Sequence, residues 1–459
     1  MAPNMPQNLI TQNKAMNIVI IGGSNTGLMN GIVLKRLGHN VHILEQNTQS
    51  ERSDLAAGIT THPEFDEFMD VYNLVKEPWF VQSPGVQWLN KAGAVTREVK
   101  RPLKMASWGV IYHRLRANFD GFASGFCPNP PAAGEKDGTA EFDLGKRVTG
   151  LTYAEHCVKV SFEDILNGDK AGILGADLVI LADGANSALR GMLFPEVERV
   201  YVGYVAFRGT VPESEVSEET KKVFDANLSY FCFKSNYILL YIIPGADGSL
   251  APGHRRYNWV WYHPLAAASQ SLTEIMTDSS GTVHRNTLPI GGMNLDAWAE
   301  YKSLAMSQMC PPFAEVVEKT TQPFITAVSD LACPRAVTME GRVLITGEAL
   351  NLVRPHLALS TTGSAKQALL LEKVFRGEMS IEQWEKNVLH EGRLSALKTN
   401  AFGTYFLYGI LPAIGWVAKL LGAMVGAMLP FSSLPAQSSA KEVSSKLHPG
   451  TSPKSGDTA

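Results

Sequence analysis

Residues 17–21 (NIVII) are apolar or β-branched after the first position and run into two glycines, a pattern that predicts a short buried strand. Residues 28–37 then repeat apolar side chains at helical spacing and stop at Gly38, a residue suited to close a helix. Residues 41–44 (VHIL) read as a second strand that ends at Glu45. Strand, helix and strand in that order predict a βαβ unit with parallel strands. Further along, residues 148–181 read as a hairpin series with a turn at Asn167-Gly168, followed by a buried strand in ADLVILADG. Strand patterns over 201–210, 230–243 and 256–263 predict an antiparallel sheet inserted after the βαβ part. Helical periodicity returns over 295–320, residues 342–346 (RVLIT) form one more buried strand, and a helix is expected near 362–375.

Composition narrows what such a chain can be. With 459 residues, 45% of them hydrophobic, it can bury a sizeable core and exceeds the size of one small domain. A formal charge of -3, with no run of basic residues, disfavours nucleic acid as a partner. The five cysteines, Cys127, Cys157, Cys232, Cys310 and Cys333, are scattered and lack a C-x-x-C pair, which argues against a disulfide framework and against a zinc site. A reducing intracellular compartment, in the cytoplasm or attached to an intracellular membrane, fits that usage. Residues 1–15 are polar, and the apolar run after them enters the glycine turn directly, so a signal peptide is not expected.

The chemistry begins at the first turn. Gly22, Gly23, Ser24 and Gly27 lie between a strand and a helix, where backbone N–H groups and the helix dipole can approach a pyrophosphate. Ser24 stands where the G-x-G-x-x-G pattern has its middle glycine. Glu45, about twenty residues on at the end of the second strand, can accept the hydroxyls of an adenosine ribose. This much fits NAD, FAD or an S-adenosyl ligand. Two later motifs bear on the choice: ADGANSALR places Asp183-Gly184 after a strand, and GRVLITGEALNLVRPH places Glu348 after another.

With these motifs, and with SWGVIYHRLR, YVGYVAFRGTV, YIIPGADGS and RRYNWVWY, the chain resembles the group A flavin monooxygenases over roughly residues 16–375. These are the aromatic hydroxylases of the para-hydroxybenzoate hydroxylase type, and within them the resemblance is to the 2,6-dihydroxypyridine 3-monooxygenase-like branch. The resemblance implies FAD as the cofactor. Gly22, Gly27 and Glu45 would hold its ADP part, Arg52 and Gly58 would approach the pyrophosphate and flavin, and Arg116 would sit against the ribityl or phosphate region. Asp183 would contribute to FAD binding, and Gly347-Glu348 would stand where the family has Gly-Asp against the ribityl chain. Glutamate there keeps the charge and adds a methylene, so the acceptor must shift by about an ångström to make the same bond. Pro355 would pack near the reactive face of the flavin, with a helix N-terminus following at residues 360–363.

The resemblance also implies NADPH or NADH as a transient co-substrate, with O2 giving a flavin C4a-hydroperoxide that donates one oxygen to a small aromatic or polyketide-like molecule. No second G-x-G-x-x-G is present for a separate nicotinamide domain. Alternation along 201–210 places Tyr204 and Arg208 on one face, with Tyr201, Val205 and Phe207 on the other. Tyr204, Arg208, Tyr237 and Tyr262 are candidates to contact substrate or deprotonate a phenol, against the plainer reading of core tyrosines and a strand-edge arginine. His356, in the flavin loop, is a candidate for proton transfer, whereas His254, His263 and His284 read as surface or structural residues without metal-ligand spacing. A flavin oxidase that never transfers oxygen, or a degenerate FAD-binding partner protein without redox activity, are the rival readings.

Residues 401–430 are apolar except for Lys419, long enough to span a bilayer, and interrupted by Pro412 and glycines. A membrane-attached segment and a helical pair packed on the flavin domain or on a second subunit of a homodimer both fit it. The expected architecture is therefore α/β. Residues 16–199 and 335–378 would form a doubly wound, Rossmann-like FAD domain, 200–334 an inserted antiparallel β-sheet substrate domain, and 379–430 a helical C-terminal extension. Residues 1–15 and 431–459 are expected to be disordered.

Overall fold

The structure, a computed structural model, describes residues 14–50, 58–154 and 156–428, with only the backbone considered for 426–428. Two sheets organise it. In the first, the strand Asn17–Ile21 lies at the centre, parallel to Asn40–Leu44 on one side and to Leu178–Leu181 on the other. Val343–Ile345 and Ala140–Asp143 extend it in parallel, and Val337–Thr338 closes one edge antiparallel. Four of the five residues of Asn17–Ile21 and all four of Leu178–Leu181 are buried, as strands covered on both faces require. Helices Asn25–Arg36 and Leu359–Phe375 pack on each other against this sheet, joined by a hydrogen bond of 2.8 Å between the Thr26 and Ser364 hydroxyls. The series at 146–176 folds as a separate three-stranded sheet.

The second sheet runs in the order Thr287–Leu288, Phe324–Ala332, Val200–Pro212, Arg256–Pro264, Asn236–Ile243, Leu228–Phe233, Val81–Leu89, Val95–Ser107 and Gly58–Thr60. Its membership corrects the expected boundary at residue 200. Strands between 58 and 107, which fall within the range expected for the FAD domain, pair into this sheet through a parallel register of Leu228 to Val86 and Tyr230 to Trp88. The reason is on the strand itself: Val81–Leu89 alternates buried and exposed residues, and its buried set reaches the same core as Tyr237, Trp259 and Trp261. Arg256–Pro264 and Asn236–Ile243 are buried on both faces because the sheet lies between the helices Leu295–Gln308 and Pro311–Glu318 on one side and Ile381–Tyr408 on the other.

Among the described residues no helix is long and apolar enough to cross a membrane. The C-terminal apolar stretch instead forms a hairpin, in which Ile410–Met428 folds back on Ile381–Tyr408 at Gly409.

Candidate active site

The carboxyl ends of the central parallel strands meet at three glycines. Gly22 has φ +100, and a Cβ there would stand 2.5 Å from the Ala182 carbonyl oxygen; a Cβ on Gly27 would stand 2.0 Å from the carbonyl of Gly22. Backbone therefore approaches backbone with no room for a side chain, and the turn stays open toward the helix N-terminus. Ser24 is the N-cap of Asn25–Arg36, yet its side chain makes no capping bond, leaving the first N–H groups of that helix to other acceptors. Glu45, buried at the end of Asn40–Leu44, accepts 2.8 Å bonds from the backbone N–H of Gly23 and of Asn47. The glycine turn and the carboxylate are thus one unit.

Beside them lies Asp183. Its Oδ1 is buried without a hydrogen-bond partner among the described residues. Burial raises the pKa of its carboxyl, opposed by the Ser187 hydroxyl and by Arg190. Arg190, within the same motif, bridges two loops of the cleft. Its guanidinium donates to the carbonyls of Ala185 at 2.8 Å and Ala349 at 3.3 Å, tying the loop of Asp183 to the loop of Glu348. Gly347 has φ +61, a conformation that favours glycine, and its N–H donates to Gln367 Oε1 at 2.7 Å. Glu348 is turned toward the next helix, where its Oε1 accepts from the Ser360 hydroxyl at 2.7 Å. Ser360 is thus a partner of the Glu348 carboxylate that sequence reasoning did not assign.

A buried unpaired carboxylate oxygen, an uncapped helix start and a glycine turn closed on a glutamate fit a dinucleotide with ribose and ribityl hydroxyls, the donor set of FAD. The helix Leu359–Phe375 also begins without a side-chain cap, at Ala358 with φ +52, so its N-terminal dipole faces the loop of Pro355.

Next to this cleft a cavity of about 410 Å³ opens against the second sheet, walled by Trp88, Leu103, Tyr230, Leu239, Val260 and Tyr262. Gly58, Glu348, Pro355 and His356 line its cleft side. A Cβ on Gly58 would stand 2.6 Å from the Tyr241 ring, so only glycine lets the chain pass there. Arg208 enters the cavity from Val200–Pro212, and its Nε is buried without a hydrogen-bond partner among the described residues. Arg101 adds a second positive charge, and Arg354, also in the wall, is paired with Asp330 by two bonds of 2.8 and 2.6 Å. Glu348 is the one acid among the lining residues. The cavity is therefore aromatic and carries net positive charge.

His356 lies fully inside. Its Nε2 is 2.6 Å from the Tyr204 hydroxyl, and its Nδ1 meets the Tyr237 hydroxyl in a short contact. Burial, helped by Arg354 and Arg208, pushes the imidazole down to about 3, so the ring is neutral. A neutral ring has one donor and one acceptor, hence one tyrosine donates and the other accepts. Burial likewise pushes both phenols above their ordinary range.

The predicted candidates therefore separate. Arg208, Tyr262 and His356 reach the cavity. Tyr204 and Tyr237 are not among its lining residues; their hydroxyls are directed to His356. Arg116 is brought to the β-edge of the cleft, where its guanidinium stacks 3.7 Å over Phe142 and pairs with Asp120 at 2.7 Å. Arg52 lies outside the described residues. His263 bonds Asn236 at 2.6 Å, and His284 pairs with Asp278 at 2.7 Å, both away from the cavity.

Comparison with known proteins supplies the remaining observation. Residues 201–330 match the FAD binding domain-like family. The chain is 28% identical over 404 residues to 2,6-dihydroxypyridine 3-monooxygenase of Paenarthrobacter nicotinovorans, covering 85% of this chain and 92% of that protein. The solved structure of 2,6-dihydroxypyridine-3-hydroxylase from Arthrobacter nicotinovorans superposes with a TM-score of 0.74 at 25% identity, over 86% and 94% of the two chains. The chain is a FAD-dependent monooxygenase that resembles the group A type. A second relative, 6-hydroxynicotinate 3-monooxygenase of Bordetella bronchiseptica, is 22% identical over 363 residues, 78% of this chain and 82% of that one. Klebsiella pneumoniae HpxO, solved with FAD and uric acid, shares the fold at a TM-score of 0.64 and 17% identity, over 91% and 97% of the chains. The monooxygenase has its parallel sheet and its aromatic cavity on either side of one cleft, and FAD is its cofactor.

Proposed function

We propose that the chain takes two electrons from NADPH or NADH and inserts one atom of O2 into a small, electron-rich aromatic or polyketide-like compound held in the cavity. The balance is substrate, O2, NAD(P)H and a proton going to hydroxylated substrate, water and NAD(P)+. FAD supplies the redox and oxygen chemistry when bound. Gly22, Gly23, Ser24, Gly27 and Glu45 would hold its adenosine pyrophosphate, with Asp183 and the Gly347-Glu348 turn on its ribityl hydroxyls. Pro355 and Gly58 would bound the ring, and Arg116 would brace the strand edge beside the adenosine.

The observation that carries the reading is Arg208, whose guanidinium has a buried Nε without a partner among the described residues, in an aromatic cavity. Such a cation favours an anionic substrate, a phenolate or the deprotonated form of a hydroxylated heterocycle, and deprotonation makes the ring richer in electrons. Tyr262 and the neutral His356 are the cavity groups able to hold a substrate hydroxyl or proton. The apolar walls exclude water from the reacting face. The names of the relatives, which act on a dihydroxypyridine and a hydroxynicotinate, support this substrate class.

The test is NAD(P)H oxidation by the FAD-loaded protein against a panel of phenols and hydroxypyridines, with product masses measured. A substrate that stimulates oxidation and gains one oxygen agrees with the reading. Cofactor oxidation that yields only hydrogen peroxide with every compound favours a flavin oxidase, and protein that stays colourless with added FAD favours a non-redox role.

A further inference from the structure

The helix Ile410–Met428 rests on its neighbour by a narrow stripe. Ala413 is buried and Trp416, Leu420 and Ala423 are partly buried, at the spacing of one helix face. Almost everything else on its described turns is exposed and apolar: Ile410, Leu411, Ile414, Val417, Leu421, Met424 and Val425 are between 43% and 78% exposed. At 100° per residue these seven fill one continuous arc of roughly 140° on the side away from the protein. Lys419 is the sole charge on the helix and falls outside that arc.

We propose that this outer face is seated in the surface of a lipid bilayer, anchoring the protein to one leaflet without crossing it. The exposed side chains amount to on the order of 700 Å² of apolar surface, above the few hundred Å² usual for the largest patch on a soluble monomer. A second copy of the chain is the weaker occupant. A stable dimer buries about 800 Å² per partner with a polar rim, and a partner helix laid along this one would cover only about 100° of the arc. The arc has no polar rim, and it is convex. A lipid surface takes up a convex apolar arc whole and needs no hydrogen-bonding border. The flanking residues agree: Tyr405 and Tyr408 are 51% and 46% exposed at the start of the hairpin, and Lys419 lies 4.6 Å over the Trp416 ring. Tyrosine and lysine are residues that sit at the headgroup level. Trp416 also stacks 5.6 Å from the guanidinium of Arg354 in the cavity wall, so the anchored face adjoins the active site.

The experiment is flotation of the full-length, FAD-loaded protein with phosphatidylcholine vesicles on a density gradient, at low and at high salt. The protein floats at both, because apolar contact rather than charge holds it. In the triple variant Leu411→Glu, Val417→Glu, Leu421→Glu the floated fraction falls at least tenfold, while flavin absorbance and circular dichroism stay as in the parent. A single variant, Ile414→Arg, gives a smaller loss in the same direction and guards against misfolding of the triple. Parent protein that stays at the bottom of the gradient with excess vesicles overturns the proposal. So does a parent that sediments as a dimer and a triple variant that sediments as a monomer, since the face would then join two copies.

Discussion

At the scale of single residues, the two ends of the cofactor cleft are held by carboxylates with different surroundings. Glu45 is bound by backbone N–H groups at 2.8 Å and was legible from its spacing after the glycine turn, because the end of a short parallel strand leaves few places for it. Replacing it by alanine removes a charged acceptor worth about 1.5–3 kcal/mol, so the FAD dissociation constant of Glu45→Ala is expected to rise about 10- to 100-fold in a flavin fluorescence titration. The place of Arg208 on its strand face was also legible, from alternation, while the open Nε was not, since pairing depends on which strands lie opposite. Arg208→Ala is expected to raise the KM of the best panel substrate about 10-fold or more, with FAD affinity unchanged, and Arg208→Lys to recover part of the loss. For His356 the pairing with Tyr204 and Tyr237 could not be read from the chain, as the three residues come from three separate segments. The imidazole sits at about 3 in the native state and near 6.5 when unfolded, so the native state takes up its proton later. Its contribution to stability is fully present above about pH 6.5 and is lost as pH falls toward 3. Urea midpoints measured across that window should fall more steeply for the parent than for His356→Gln; equal slopes would contradict a buried neutral ring.

At the scale of elements, turn geometry carries the argument. The strand, turn and helix at the start were predictable because each uses a local signal: β-branched residues, glycines that admit no Cβ, and a glycine C-cap. The Gly347 turn was predicted only as a departure from a motif. Its φ of +61 and the 2.5 Å from a Cβ to Thr26 Oγ1 make alanine there both strained and crowded. Gly347→Ala is expected to lose about 1–2 kcal/mol from backbone strain alone, with FAD released at lower temperature in a flavin-fluorescence melt. Strands between 58 and 107 were not read from the sequence, and the sheet they enter was not legible for a physical reason. Their pairing with Leu228–Phe233 joins positions more than a hundred residues apart, and periodicity along a strand cannot say which sheet it enters. The C-terminal stretch was read as apolar, with a helical pair as one of two alternatives, but the place of the turn at Gly409 was not read from the sequence.

At the scale of the whole molecule, one cleft separates a parallel sheet that ends in glycine turns from an antiparallel sheet that carries aromatic side chains. The cavity needs both: its cleft side comes from the loops of Gly58 and Pro355, and its walls from the second sheet. The central claim is that an aromatic anion bound there receives one atom of dioxygen. The direct measurement is a turnover under labelled O2 with NADPH or NADH and the best panel substrate, followed by the mass of the product and the hydrogen peroxide formed. One labelled oxygen per product molecule, with little peroxide and with both lost in Arg208→Ala, is the expected result. Unlabelled product, or peroxide equal to the NAD(P)H consumed, would contradict it.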